Sequence, residues 1–184
     1  MASNAPNIIL VGFMGAGKST IGQVLAKRLS LDFWDSDSRI EELAGVSIPD
    51  IFRTHGEKYF RRLEYEVLLY LTNLQGAIIS TGGGAVTNGS LLDHLLSKGL
   101  VIHLEASKET ILQRIKSTDN RPMLGHEDGE LADRIDKLYR IRYPEYLKAH
   151  CTVKTDNKEV ESIVDEIVGL IDNIIGSGQQ NFGC

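Results

Sequence analysis

Cysteine is scarce, with only Cys151 and Cys184 in 184 residues. One falls in an expected strand and the other at the extreme C-terminus, which excludes a disulfide framework and leads us to expect reduced thiols. No stretch approaches the ~20 apolar residues of a membrane span, and Met1 to Pro6 lacks the basic and apolar parts of a secretory leader. A cytoplasmic chain with no membrane partner is the expectation. A basic excess is also missing: 20 Lys and Arg against 25 Asp and Glu give a net charge of −5, with a pI near 5.5. That balance argues against a nucleic-acid partner, which calls for a basic face. The five histidines, at 55, 94, 103, 126 and 150, show no metal-ligand spacing and no accompanying Cys cluster, so they read as ordinary core or surface residues. There is no internal repeat and no linker, and the length suits one domain over 1–184, expected as a monomer.

What is present is a phosphate-binding signature. Gly12-Phe13-Met14-Gly15-Ala16-Gly17-Lys18-Ser19-Thr20 fits G-x-x-x-x-G-K-[ST] without a mismatch. The apolar run Ile8-Ile9-Leu10-Val11 precedes it, as expected of a parallel strand buried on both faces. Ile21, Val24, Leu25 and Leu29 follow at helical spacing. At a strand-to-helix junction the loop N–H groups and the helix N-terminus point at one anion. Gly15, Ala16, Gly17, Lys18, Ser19 and Thr20 are therefore the candidate nucleotide contacts. Lys18 is expected on the β- and γ-phosphates, Thr20 near the α-phosphate, and the Ser19 hydroxyl on Mg²⁺.

Further strands are expected at 31–35, 77–81, 100–104 and 151–155, alternating with helices, which makes a five-stranded parallel sheet covered on both faces. Asp35 and Asp37 close the second strand, two apart, so an extended backbone puts both carboxylates on one face at the ligand-binding rim. Gly45 ends a short helix there, and Ser47 caps the next, with Asp50 three residues on. From Gly56 to Leu74 runs the longest helical pattern, carrying Arg61 and Arg62 about 100° apart. Glu64 lies where it can hold the Arg61 guanidinium. On helix geometry alone a solvated charged face is the weightier reading of Arg61. Gly82-Gly83-Gly84 follows the third strand, suited to a substrate lying against backbone N–H groups or to a plain flexible loop. Residues 117–129, polar and with two glycines, read as a lid. Its only Lys or Arg, Arg121, is either the cation that arrives on closure or a solvated loop arginine. The tail from 176 reads as disordered.

Taken together, GFMGAGKST at 12–20, DSD at 35–37, FRRLE at 60–64, GGG at 82–84, RPML at 121–124 and RYPEY at 142–146 resemble the shikimate kinases over roughly residues 7–172. The resemblance implies a three-layer P-loop kinase fold of the nucleoside-monophosphate-kinase-like group, with a core over 7–175. It implies ATP-dependent phosphorylation of the shikimate 3-hydroxyl, in chorismate and aromatic amino acid biosynthesis, with Mg²⁺ as cofactor. By the same resemblance Asp37 binds the shikimate hydroxyls, as base or as aligning acceptor, and Asp35 reaches Mg²⁺ through water. Arg61 and Arg142 grip the substrate carboxylate, Gly83 adds a backbone contact, and Arg121 touches ATP. A solvated face then becomes the minority reading of Arg61. The loop after the fifth strand departs from the family, reading Asp156-Asn157-Lys158-Glu159-Val160 where an arginine and a proline are common. A kinase of the same fold acting on gluconate or a nucleoside monophosphate is the nearest rival. A GTPase switch lacks D-x-x-G and fails N-K-x-D at Val160. A binding module without catalysis is at odds with the intact Lys18, Ser19, Asp35 and Asp37.

Overall fold

Every residue of β1 (Asn7–Val11) is buried, which requires cover on both faces of the sheet and accounts for the apolar run from Ile8 to Val11. The structure, a computed structural model, describes residues 6–116 and 128–176. β1 lies at the centre, paired in parallel with β3 (Ala77–Ser80) on one side and β4 (Gly99–Glu105) on the other. β2 (Asp32–Asp35) adds to β3, and β5 (Cys151–Lys154) adds to β4. The order is β2-β3-β1-β4-β5, all parallel. β5 alternates buried and exposed residues, with Lys154 outward, as suits an edge strand that must resist further pairing. Asn7 fastens the amino edge: its amide donates to the Thr72 and Leu74 carbonyls, and its side-chain oxygen accepts from Ala77 N–H at the start of β3.

The helices are α1 (Lys18–Leu29), α2 (Ser36–Ala44), α3 (Ile48–Leu71), α4 (Gly89–Lys98), α5 (Lys108–Lys116), α6 (Asp128–Tyr146) and α7 (Val160–Gly176). Ser47 caps α3 by accepting from Asp50 N–H, and Gly45 ends α2 in the left-handed region, both as the sequence predicts. α3 begins earlier than the periodicity suggests. Gly56, at φ 79° and ψ 173°, breaks it into two helical segments, so the expected start at Gly56 is an internal bend.

Two other expectations change. Asp37 is not extended: β2 stops at Asp35, whose carboxylate caps α2 by accepting from Asp37 N–H and Ser38 N–H at 3.0 and 3.2 Å. Asp37 therefore sits in the first turn of a helix. Cys151 is buried in β5 and disulfide-bonded rather than a reduced thiol; Cys184 lies outside the described residues. So do the greater part of the expected lid, including Arg121, and all but the first residue of the expected tail. Among the described residues no helix is long and apolar enough to cross a membrane.

Candidate active site

The loop between β1 and α1 folds back over the sheet edge. At Gly12 the backbone passes so close to β4 that a Cβ would lie 2.5 Å from the Leu104 carbonyl oxygen, and φ is +148°. Only glycine fits there. Gly17 caps α1 at φ 95° with no side-chain acceptor, which leaves the first N–H groups of the helix for an anion. Lys18 is nearly buried, and its Nζ donates to the Gly12 and Phe13 carbonyls at 2.8 and 3.0 Å, which places the ammonium across the mouth of the cradle. Ser19 Oγ donates to Asp35 Oδ2 at 2.6 Å. Arg114 of α5 braces the loop from outside, donating to the Gly15 carbonyl at 2.9 Å and the Thr155 carbonyl at 3.2 Å.

Beside this cradle the glycine run after β3 forms the floor. Its first peptide is tied to the acidic turn: Gly82 N–H donates to Ser36 Oγ, a side chain with no exposure, at 3.0 Å. A Cβ on Gly82 would meet Asp37 Oδ1 at 2.6 Å and Glu64 Oε1 at 2.8 Å. One on Gly84 would meet the Arg61 guanidinium at 2.6 Å. The absent side chains are thus what lets Asp37, Glu64 and Arg61 close over this loop. The Gly83 carbonyl accepts from Arg142 Nη1 at 3.1 Å and from Tyr146 Oη. Arg61 of α3 and Arg142 of α6 therefore meet the same three glycines.

Arg61 is held by Glu64 at 2.7 Å and, more loosely, by the exposed Glu57 at 3.3 Å. Glu64 is 2% exposed; burial lifts its carboxyl above the usual range, against the pull of the Arg61 and Arg142 charges. Arg62 points away, exposed, and pairs with Glu66. Hence only one of the two adjacent arginines serves the pocket, and the solvated reading of Arg61 falls. The cavity measures about 1070 Å³, at the upper end of what a single small ligand needs. Gly15, Gly17, Lys18, Ser19, Thr20, Asp35, Asp37, Arg61, Gly83 and Arg142 all line it. Ala16 does not: its side chain is fully buried in the core.

A family model described as shikimate kinase matches residues 14–172. The chain is 44% identical over 172 residues to a shikimate kinase of Haemophilus influenzae, covering 92% of this chain and 94% of that protein. It is 41% identical over 162 residues to one of Caldanaerobacter subterraneus subsp. tengcongensis, covering 88% and 94%. Among solved structures, shikimate kinase from Acinetobacter baumannii in complex with shikimate superimposes with a TM-score of 0.85 at 38% identity, covering 96% of each chain. The chain belongs to the shikimate kinase family. Its activity is ATP-dependent phosphorylation of shikimate, in aromatic biosynthesis.

A shikimate kinase must bring two anions together in one cavity. The arrangement suits that task, because Lys18 and Arg114 stand at the loop end and Arg61 and Arg142 at the glycine end, with carboxylates between them. Three residues of the site carry no role that the sequence assigned them. Ser36 lies unremarked between two acids, Arg114 sits in an ordinary helix, and Tyr146 closes the RYPEY run. Each acts through a contact far away in sequence: Gly82, Gly15 and Gly83. Short-range spacing could have singled out only Tyr146, one helical turn after Arg142.

Proposed function

We propose that this cavity holds MgATP on the 12–20 loop and shikimate over the 82–84 glycines, and transfers the γ-phosphoryl to the 3-hydroxyl to give 3-phosphoshikimate and ADP. Gly15 to Thr20 bind the triphosphate through backbone N–H groups, with Lys18 as the point charge on its outer phosphates. Arg61 and Arg142, with the Gly83 backbone, grip the shikimate carboxylate. Guanidinium suits this, since its planar fork matches a carboxylate where an ammonium does not. Asp37 accepts the hydrogen bond of the acceptor hydroxyl and aligns its oxygen with the phosphoryl, and transfer follows mainly from positioning and charge stabilisation. Arg121, outside the described residues, is the cation proposed to meet ATP from the 117–129 lid.

Ser19 and Asp35 fit a hard cation. Their hydroxyl and carboxylate oxygens lie 2.6 Å apart with no nitrogen or sulfur donor in the pair, the donor set that Mg²⁺ takes. Ser19 would bind it directly and Asp35 through water. Mg²⁺ there would offset the charge that develops on the phosphoryl oxygens. The net charge of −5 speaks against a nucleic-acid partner; a cytoplasmic, monomeric enzyme with no membrane partner, built as one kinase unit, is part of the same proposal.

The convergence of Arg61 and Arg142 on one glycine loop carries this reading. Replacing either arginine by Ala is expected to weaken shikimate binding by roughly thirtyfold or more, the worth of a lost charge-assisted pair, while ATP binding stays near the parent value. Equal losses for the two ligands contradict the clamp. In a coupled assay offering shikimate, gluconate and nucleoside monophosphates with MgATP, turnover is expected on shikimate alone, and preference for another acceptor rejects the assignment.

A further inference from the structure

Tyr146, the last residue of α6, is among the largest fully buried side chains, at 1% exposure. Its ring stacks on His103 of β4 at 5.1 Å and 17°. His103, 2% exposed, is neutral at physiological pH because burial pushes its pKa down to about 4. An uncharged aromatic pair thus stands under the glycine loop. Phenylalanine would fill that volume equally well, and a buried hydroxyl costs free energy unless it finds partners. Here the partners are at the acceptor end of the cavity. Tyr146 Oη donates to the Gly83 carbonyl, which also accepts from Arg142 Nη1, so hydroxyl and guanidinium share one acceptor, and the Arg142 charge opposes the rise that burial gives the tyrosine pKa.

We propose that Tyr146 is a positioning residue for the acceptor: its hydroxyl locks the Gly83 peptide and the Arg142 guanidinium in the orientation that receives the substrate carboxylate. The Gly83 carbonyl and the Gly84 N–H belong to one planar trans unit, so holding the oxygen fixes the direction of that N–H as well. Arg142 uses one edge of its fork on this anchor and presents the remaining N–H groups to the carboxylate. Without the hydroxyl, Arg142 regains rotamer freedom that binding must then remove. The carboxylate does not react, so the same interaction is lost in the ground and transition states, and the effect belongs in KM rather than kcat. This inference rests on the proposed grip of Arg142 on the acceptor.

The test is Tyr146→Phe in the full chain, which keeps the ring and its stack. Shikimate KM and calorimetric Kd are expected to rise about five- to tenfold, the effect of one hydrogen bond. ATP KM, kcat and Tm should stay near the parent values. In an Arg142→Ala background the same substitution should add less than in the parent, because the share that passes through Arg142 is already gone and only the Gly83 peptide remains to be loosened. Unchanged shikimate affinity in Tyr146→Phe, equal weakening of both ligands, an undiminished effect in the Arg142→Ala background, or a variant that does not fold each overturns the proposal. Arg142→Ala alone separates the two readings. If it weakens shikimate and Tyr146→Phe does not, only the positioning role fails; if it spares shikimate, the clamp fails as well.

Discussion

Gly84→Ala should disable the acceptor end of the site while leaving the fold intact. Gly84 sits at φ −103° and ψ −5°, a conformation alanine adopts, so the backbone is not strained. The new methyl, however, would lie 2.6, 2.7 and 2.9 Å from Nη1, Nη2 and Cζ of Arg61. Ordinary contact begins near 3.4 Å, so the guanidinium must retreat by roughly 0.8 Å, more than the contact potential tolerates. Retreat on that scale breaks the 2.7 Å bond to Glu64 and moves the fork off its carboxylate target. A charge-assisted hydrogen bond is worth about 1.5–3 kcal/mol net, so shikimate affinity should fall between about tenfold and a hundredfold. The displaced group is the mobile end of a side chain that is 28% exposed, so Tm should move by only a few degrees. Calorimetric titration with shikimate and, separately, with ADP reads the split. Gly89→Ala, with nothing within 4 Å of the added carbon, is the matched control and should change neither affinity. Shikimate affinity within twofold of the parent, or equal losses for shikimate and ADP, would refute the packing of Arg61 on Gly84 as the basis of acceptor binding.

Lys18→Ala should lower kcat by at least about a hundredfold, on the scale of other lost transition-state charge contacts. It removes the bonds to the Gly12 and Phe13 carbonyls from the free protein and leaves the apolar core untouched, so circular dichroism should show the parent fold; retained turnover would mean that the loop is not the phosphate cradle. His103 makes stability pH-dependent. Burial holds its folded pKa near 4, below the ~6.5 of the unfolded chain, so the unfolded state takes up the proton first and stability falls as pH drops from about 6.5 towards 4. The loss at pH 5 relative to pH 8 should be about 2 kcal/mol, read as the difference in urea unfolding between the parent and His103→Phe. The same pH dependence in both proteins would refute it.

The inner strands were legible because burial on both faces leaves a mark at every residue: Ile8 to Val11 and Ile78 to Ile79 are apolar without interruption and have almost no exposure. The phosphate loop was legible because its chemistry is local, with glycines, lysine and serine acting within nine consecutive residues. Asp37 was placed on the right rim in the wrong conformation. The alternation rule assumes that the strand continues, whereas Asp35 turns its carboxylate onto the next N–H groups and starts a helix at once. A reading of Asp35 as an N-cap would have shown this, since Asp followed by a polar turn is a helix-start signal. Arg61 illustrates the opposite limit. Helix geometry says that Arg61 and Arg62 differ in direction, but not which faces the pocket; the choice is made by Gly84 and the buried Glu64. Ser36 and Arg114 escape any local rule because each meets its partner only through a contact distant in sequence, with Gly82 and Gly15.

The strand order explains why three glycines stand where they do. β3 lies between β1 and β2, and Ser80 is level with Leu10 on one side and Asp35 on the other. The phosphate loop, the glycine run and the acidic turn therefore leave the carboxyl edge side by side, about 4.8 Å apart at each step. Phosphate loop and acidic turn are then separated by about 10 Å, two strand spacings, which leaves room for a phosphoryl group and the hydroxyl it joins. A Cβ on Gly82, Gly83 or Gly84 would meet the Asp37 and Glu64 carboxylates, the Met14 nitrogen or the Arg61 guanidinium at 2.6 to 3.1 Å. Glycine there lets Asp37, Glu64 and Arg61 approach the backbone within a distance that a single Cβ would forbid, and on the proposed binding mode it also keeps the line of transfer clear. Acceptor binding and in-line geometry thus depend on the same three missing side chains. For that reason a methyl group at Gly84 should act on the acceptor, whereas the nucleotide, one strand away over β1, should not register it.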